Sequence, residues 1–142
     1  MAGHFKILPV VDENLYRSAI FASALTDADV GKPVKLVSTD TYDICGAGDG
    51  IDGFVASLDS ITMGGKVFGS IMVDGVQAVQ LKGAVAIGAV VAAAAPSALG
   101  TAETNKLAQV SVHTPVATDM VRWRLVSGTG LDGDLTAVVE RL

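Results

Sequence analysis

Cysteine, histidine and aromatic residues are all scarce in this 142-residue chain. Its one cysteine, Cys45, has no second thiol to pair with, so no intramolecular disulfide staples the fold. Its two histidines, His4 and His113, stand far apart in sequence and offer no metal-ligand spacing and no nucleophile-base pair with Cys45 or a serine. Aromatics make up 5% of the residues, which argues against a ligand cage built of rings. Charge is thin as well: 18% of the chain is Asp, Glu, Lys or Arg, against roughly 25% in an average soluble domain.

The acids outnumber the bases, for a net charge of −5. Nucleic acid is therefore not an expected partner, because a phosphate surface needs clustered Lys and Arg to displace counterions. Long apolar runs are absent too. The longest, from Gly83 to Pro96, has thirteen residues before the proline, short of the roughly 20 that a membrane-spanning helix needs. The N-terminal Ile7-Leu8-Pro9-Val10-Val11 is broken by proline and followed by acids, so neither a signal peptide nor a membrane partner is expected.

What the chain does have is valine, alanine and glycine, arranged as short β-rich runs between turns. Core strands are expected at Val34–Leu36, Tyr42–Cys45, Ile51–Leu58, Val67–Val73, Val76–Leu81, Val121–Val126 and Leu135–Val139, with further strand-like runs at 89–95 and 106–112. Turns every 8 to 12 residues point to a sandwich or barrel. Asp74-Gly75 between two β-rich runs reads as a hairpin turn, and the glycine cluster from Gly46 to Gly53 as a second hairpin corner. Gly53 itself reads as a bulge or a close approach of two backbones. Thr26 to Asp29 has a capping-box pattern that Gly31 and Pro33 cut to one helical turn at most. Residues 1–22 read as an extended N-terminal arm lying on a neighbouring subunit or as an ordinary edge strand, and residues 23–142 as one domain. Phe5, Ile7, Leu8, Pro9, Leu15, Tyr16 and Phe21 are the candidate partner contacts.

Sites of chemistry are harder to find. Gly48-Asp49-Gly50-Ile51-Asp52-Gly53 spells G-x-G-x-x-G, but no convincing helix follows it and its two aspartates would repel a pyrophosphate. Asp40, Asp43, Asp49 and Asp52, and again Asp132 and Asp134, raise the question of calcium; neither group has EF-hand spacing, and turn aspartates commonly cap their own backbone. Cys45 between Ile44 and Gly46 reads as a packing residue and Trp123 as a core anchor. No catalytic, cofactor-binding or metal-ligating residue is expected, and the chain reads as a non-enzyme.

Three stretches resemble the head decoration (cement, or capsid-stabilising) proteins of tailed bacteriophages: Asp29 to Leu36 (DVGKPVKL), Asp49 to Val55 (DGIDGFV) with the small-residue Ala86-Ile87-Gly88-Ala89 turn downstream, and the closing Trp123 to Gly128 (WRLVSG) with Val138 to Arg141 (VVER). The resemblance covers residues 24–142. It implies a jelly-roll-like β-sandwich with an extended N-terminal segment, made in the bacterial host cytoplasm and assembled on the outer surface of the virion. The implied partners are the major capsid protein and the chain itself, as a homodimer or else a trimer, with no cofactor. A calcium- or glycan-binding β-sandwich using the acidic loops is the alternative.

Overall fold

A computed structural model describes residues 15–94, 107–113 and 123–142. Ten strands account for most of them: β1 (Tyr16–Phe21), β2 (Pro33–Ser38), β3 (Thr41–Ile44), β4 (Gly53–Met63), β5 (Lys66–Met72), β6 (Val76–Leu81), β7 (Val90–Ala93), β8 (Ala108–Val112), β9 (Trp123–Ser127) and β10 (Ala137–Arg141). Between β1 and β2 one 3-10 turn, Asp27–Asp29, is capped by a hydrogen bond from Thr26 N to Asp29 Oδ2 at 2.9 Å. The all-β expectation holds, and there are two sheets. Each closes on itself, so in place of a jelly roll's facing layers the chain forms two five-stranded barrels in tandem, ordered β1-β3-β2-β4-β5 and β10-β6-β8-β7-β9. Closure leaves neither sheet with an edge strand open to pairing.

The second barrel repeats the first strand for strand. β1 lies parallel to β3 and antiparallel to β5, just as β6 lies parallel to β8 and antiparallel to β10. Register matches too: Phe21 faces Tyr42 where Leu81 faces Val110, and Val34 faces Ile44 where Val91 faces Val112. Even the bulge recurs, with Val55 and Ser57 against Ile71 and Ser70 in one barrel and Leu125 and Ser127 against Val139 and Val138 in the other. Before the second strand of each barrel a glycine at positive φ, Gly31 or Gly88, donates its N–H to the carbonyl of Val55 or Leu125. The matched interior positions Ala19/Val79, Phe21/Leu81, Val34/Val91, Tyr42/Val110, Val55/Leu125 and Ile71/Val139 are all buried. The side-chain alternation of a strand puts every second residue inside, and each large apolar side chain so buried contributes about 1.5–3 kcal/mol.

Several expectations are corrected by the pairing. Asp74-Gly75 is not a hairpin turn: β5 pairs with β1 and β4, and β6 with β8 and β10, so the dipeptide, with Gly75 at φ 93°, carries the chain from one barrel to the next. The glycine cluster after Cys45 is not a hairpin corner either, because β2 sits between β3 and β4. The β4–β5 hairpin turns at Gly64-Gly65, both at positive φ. Residues 16–21, assigned to an arm or edge strand, form a barrel strand paired on both sides. The described residues from 23 onward, read as one sandwich domain, supply strands to both barrels. Strand β8 (Ala108–Val112) falls within the expected run at 106–112 and β7 (Val90–Ala93) within the one at 89–95, while residues 1–14, 95–106 and 114–122 lie outside the described part.

Candidate functional site

The barrels meet through the loop that the sequence singles out. Gly48 N donates to Ala93 O at 2.9 Å, and Ala93 N donates to Asp49 O at 3.0 Å, so the glycine-acid loop of the first barrel lies on β7 of the second. Cys45, Ile51 and Phe54 join the second barrel's core, in one cluster with Val91, Trp123, Leu125 and Val139. The Phe54 and Trp123 rings meet edge to face, with centroids 5.0 Å apart and planes at 85°, a favoured aromatic geometry. Gly53 earns its place through a close approach: a Cβ there would stand 2.8 Å from the Met72 carbonyl oxygen.

The acids of these loops are occupied. Asp49 accepts from Lys35 Nζ and from Gly46 N, each at 2.7 Å. Partial burial works against the charged form of Asp49, but the Lys35 ammonium and the Gly46 N–H outweigh it and hold the carboxyl below its usual range. Asp52 accepts from Leu36 N at 2.7 Å, and Asp43 from Ser23 Oγ and Ile44 N. In the second barrel Asp132 accepts from Gly83 N. Asp134 takes the Thr136 hydroxyl and the N–H groups of Thr136 and Thr129, which lower its pKa to about 2. Among the described residues no three His, Cys, Asp or Glu side chains gather as a metal site. Burial raises the Cys45 pKa far above the ordinary thiol value, with Asp49 and Asp52 adding to it, so the residue is a neutral packing group and no thiolate.

One cleft of about 210 Å³ opens where the barrels adjoin, lined by Arg17, Leu36, Tyr42, Asp52, Val73 and Arg141. It is smaller than the roughly 300–1,000 Å³ of pockets that hold drug-sized ligands. A larger hollow of about 650 Å³, beside Arg17 to Ile20, Asp40 and Phe68, is a broad surface groove along β1.

The candidate partner contacts fall into three groups. Phe5, Ile7, Leu8 and Pro9 lie outside the described residues. Leu15 is half-buried and Tyr16 is 51% exposed. Phe21 is corrected: at 1% exposure it belongs to the first barrel's core, since inward positions on β1 alternate with outward ones. Sequence reasoning missed Val76 and Leu142, which are 59% and 55% exposed. Both lie with Tyr16 about the inter-barrel turn, because Val73 N donates to Leu15 O and Arg141 N to Gly75 O. It also missed Arg17 and Arg141, which pairing across the two barrels alone brings together.

No helix among the described residues is long and apolar enough to cross a membrane. No family model matches the chain, and neither a curated protein nor a solved structure matches it.

Proposed function

We propose that this chain is a structural protein of a tailed-phage virion, which binds the outer surface of the assembled capsid and cements neighbouring major capsid subunits. The resemblance of 24–142 to head decoration proteins motivates the reading. The observation that carries it is the contrast between occupied chemistry and open apolar surface. The loop carboxylates are tied to backbone N–H groups, the thiol is buried, and yet Tyr16, Val76 and Leu142 stand exposed around one turn. Exposed apolar side chains gathered at one place mark a surface for a partner.

The cementing effect would be mass action: a protein that binds only the assembled lattice lowers the free energy of that state. Many weak contacts on one particle then add by avidity. Two closed barrels, with Cys45, Ile51 and Phe54 of the first half packed into the second barrel's core, suit the role, because a clamp must stay rigid and must not recruit strands at its own edges. A homodimer is the favoured assembly, with a trimer as the other choice. The test is to heat and osmotically shock heads assembled with and without the protein. Heads lacking it should release DNA at lower temperature, and adding it back should restore them; equal resistance refutes the reading.

A further inference from the structure

Four aspartates in the chain are followed by glycine, at 49–50, 52–53, 74–75 and 132–133. In such a pair the glycine amide nitrogen can attack the carboxyl carbon before it, because no side chain stands beside the nitrogen to block the approach. Whether it does so in a folded protein depends on where the two groups point. Three of the four pairs are turned apart. Asp49 accepts from Lys35 Nζ and Gly46 N, which hold its carboxyl ionised and so without a hydroxyl to lose. Asp52 accepts from Leu36 N, beside a Gly53 that is crowded against the Met72 carbonyl. Asp132 accepts from Gly83 N, and Gly133 N is spent on the Leu81 carbonyl.

Asp74 is the exception. Its side chain is exposed, its Oδ1 accepts from Gly75 N at 2.8 Å, and neither group has another hydrogen-bond partner among the described residues. Attacking nitrogen and carboxyl therefore lie against each other with solvent at hand. The flanks are anchored, since Val73 N donates to Leu15 O and Gly75 O accepts from Arg141 N. Anchored flanks keep the pair in this relation while the carboxyl itself is free to turn.

We propose that Asp74 isomerises spontaneously to isoaspartate in the folded protein, and that the product loosens the joint between the barrels. In the first step the Gly75 nitrogen bonds to Cγ of the protonated Asp74 carboxyl. The amide proton and the Cγ hydroxyl leave together as one water, and a cyclic imide remains. Water then opens the imide. Attack at Cγ returns aspartate, whereas attack at the main-chain carbonyl breaks its bond to the Gly75 nitrogen, after which the chain runs through Cβ and Cγ. Nothing is oxidised or reduced, and solvent supplies the only co-reactant. The linker is longer by one backbone carbon. Arg141 clasps this linker at both ends, through Nη1 on Val73 O at 2.8 Å and its own N–H on Gly75 O at 3.1 Å. Moving Gly75 away from Val73 puts those two bonds out of register.

The test holds the whole chain at neutral pH for weeks, folded and in urea, and maps isoaspartate in its peptides by electron-transfer fragmentation. Folded protein should carry it at residue 74 in excess over 49, 52 and 132, and unfolded protein in comparable amounts at all four. Folded protein unmodified at 74, or modified there no more than at the other three, overturns the proposal. Asp74→Asn loses ammonia in place of water and should form the same product faster; Asp74→Glu, whose imide ring is larger, should form almost none. Both should keep the wild-type melting temperature, because this side chain holds only its neighbour's N–H. Isomer forming no faster in Asp74→Asn would also overturn the proposal. In the isomerised protein the Arg141 amide should exchange about tenfold faster, as expected for one lost hydrogen bond; unchanged protection there overturns the loosening. The reaction needs no capsid, so its outcome is separate from the decoration role.

Discussion

Phe54→Ala tests whether the two barrels are one cooperative unit. The Phe54 ring is 1% exposed and reaches out of the first barrel into the second barrel's core, edge to face with Trp123, which is fully buried. Truncating a buried phenylalanine costs about 3–5 kcal/mol through lost transfer energy and the cavity left behind. A domain of this size has a total stability of about 5–15 kcal/mol, so the variant should lose a large part of it. Phe54→Leu keeps most of the volume and gives up the ring contact, for a smaller loss of about 1–2 kcal/mol. Combined with Trp123→Phe it should show a coupling of about 0.5–1.5 kcal/mol. Trp123 is the only tryptophan, so its fluorescence reports the junction alone while circular dichroism reports all ten strands. Urea transitions followed by both probes should coincide in the wild type and shift together in Phe54→Ala. A cost below about 1 kcal/mol, or a fluorescence transition separate from the dichroism one, would refute the shared core.

Gly53→Val should destabilise by about 1–3 kcal/mol, seen as a lower urea midpoint, because the new Cβ meets the Met72 carbonyl at 2.8 Å and backbone cannot swing away. Acid titration of stability should show the Asp134 contribution. Its folded pKa of about 2 lies below the unfolded value near 4, so that contribution is present above pH 4 and is lost as pH falls from about 4 to 2. Asp134→Asn should flatten that part of the curve. Calcium added in a calorimeter should give no binding heat and no rise in melting temperature, since the loop aspartates already hold N–H donors; saturable heat would favour the calcium-binding alternative.

The strands themselves were legible, because β-branched runs and glycine turns are local signals. β6 falls where the sequence places it, Val76–Leu81, and the inward side of Trp123 follows from alternation. What local signals cannot carry is which strand lies beside which. Asp74-Gly75 has hairpin chemistry, and only the pairing of β5 and β6 with other strands turns it into a linker. The repeat is hidden for a related reason. Matched positions keep burial while changing size and identity, as with Phe21 and Leu81 or Tyr42 and Val110, and the connection from β1 to β2 is longer than that from β6 to β7. No fixed period survives in the sequence. The cleft was invisible for the strongest version of this reason: Arg17 and Arg141 lie at opposite ends of the described chain, and only the closing of both barrels sets them on one wall.

The glycine-acid loop shows the same division. Its composition suggests a cradle for phosphate or metal, and its geometry makes it the seam between two halves of one molecule. Gly48 and Asp49 bind β7 through their backbone, and Asp49 turns its carboxylate back to Lys35.

The proposed decoration role is tested most directly by sedimenting purified protein with tailed-phage shells, before and after expansion. Saturable co-sedimentation with expanded shells, at a fixed ratio to the major capsid protein and lost when residues 1–14 are removed or Tyr16 and Val76 are changed to serine, is the predicted result. Protein that stays in the supernatant with expanded shells would contradict the account.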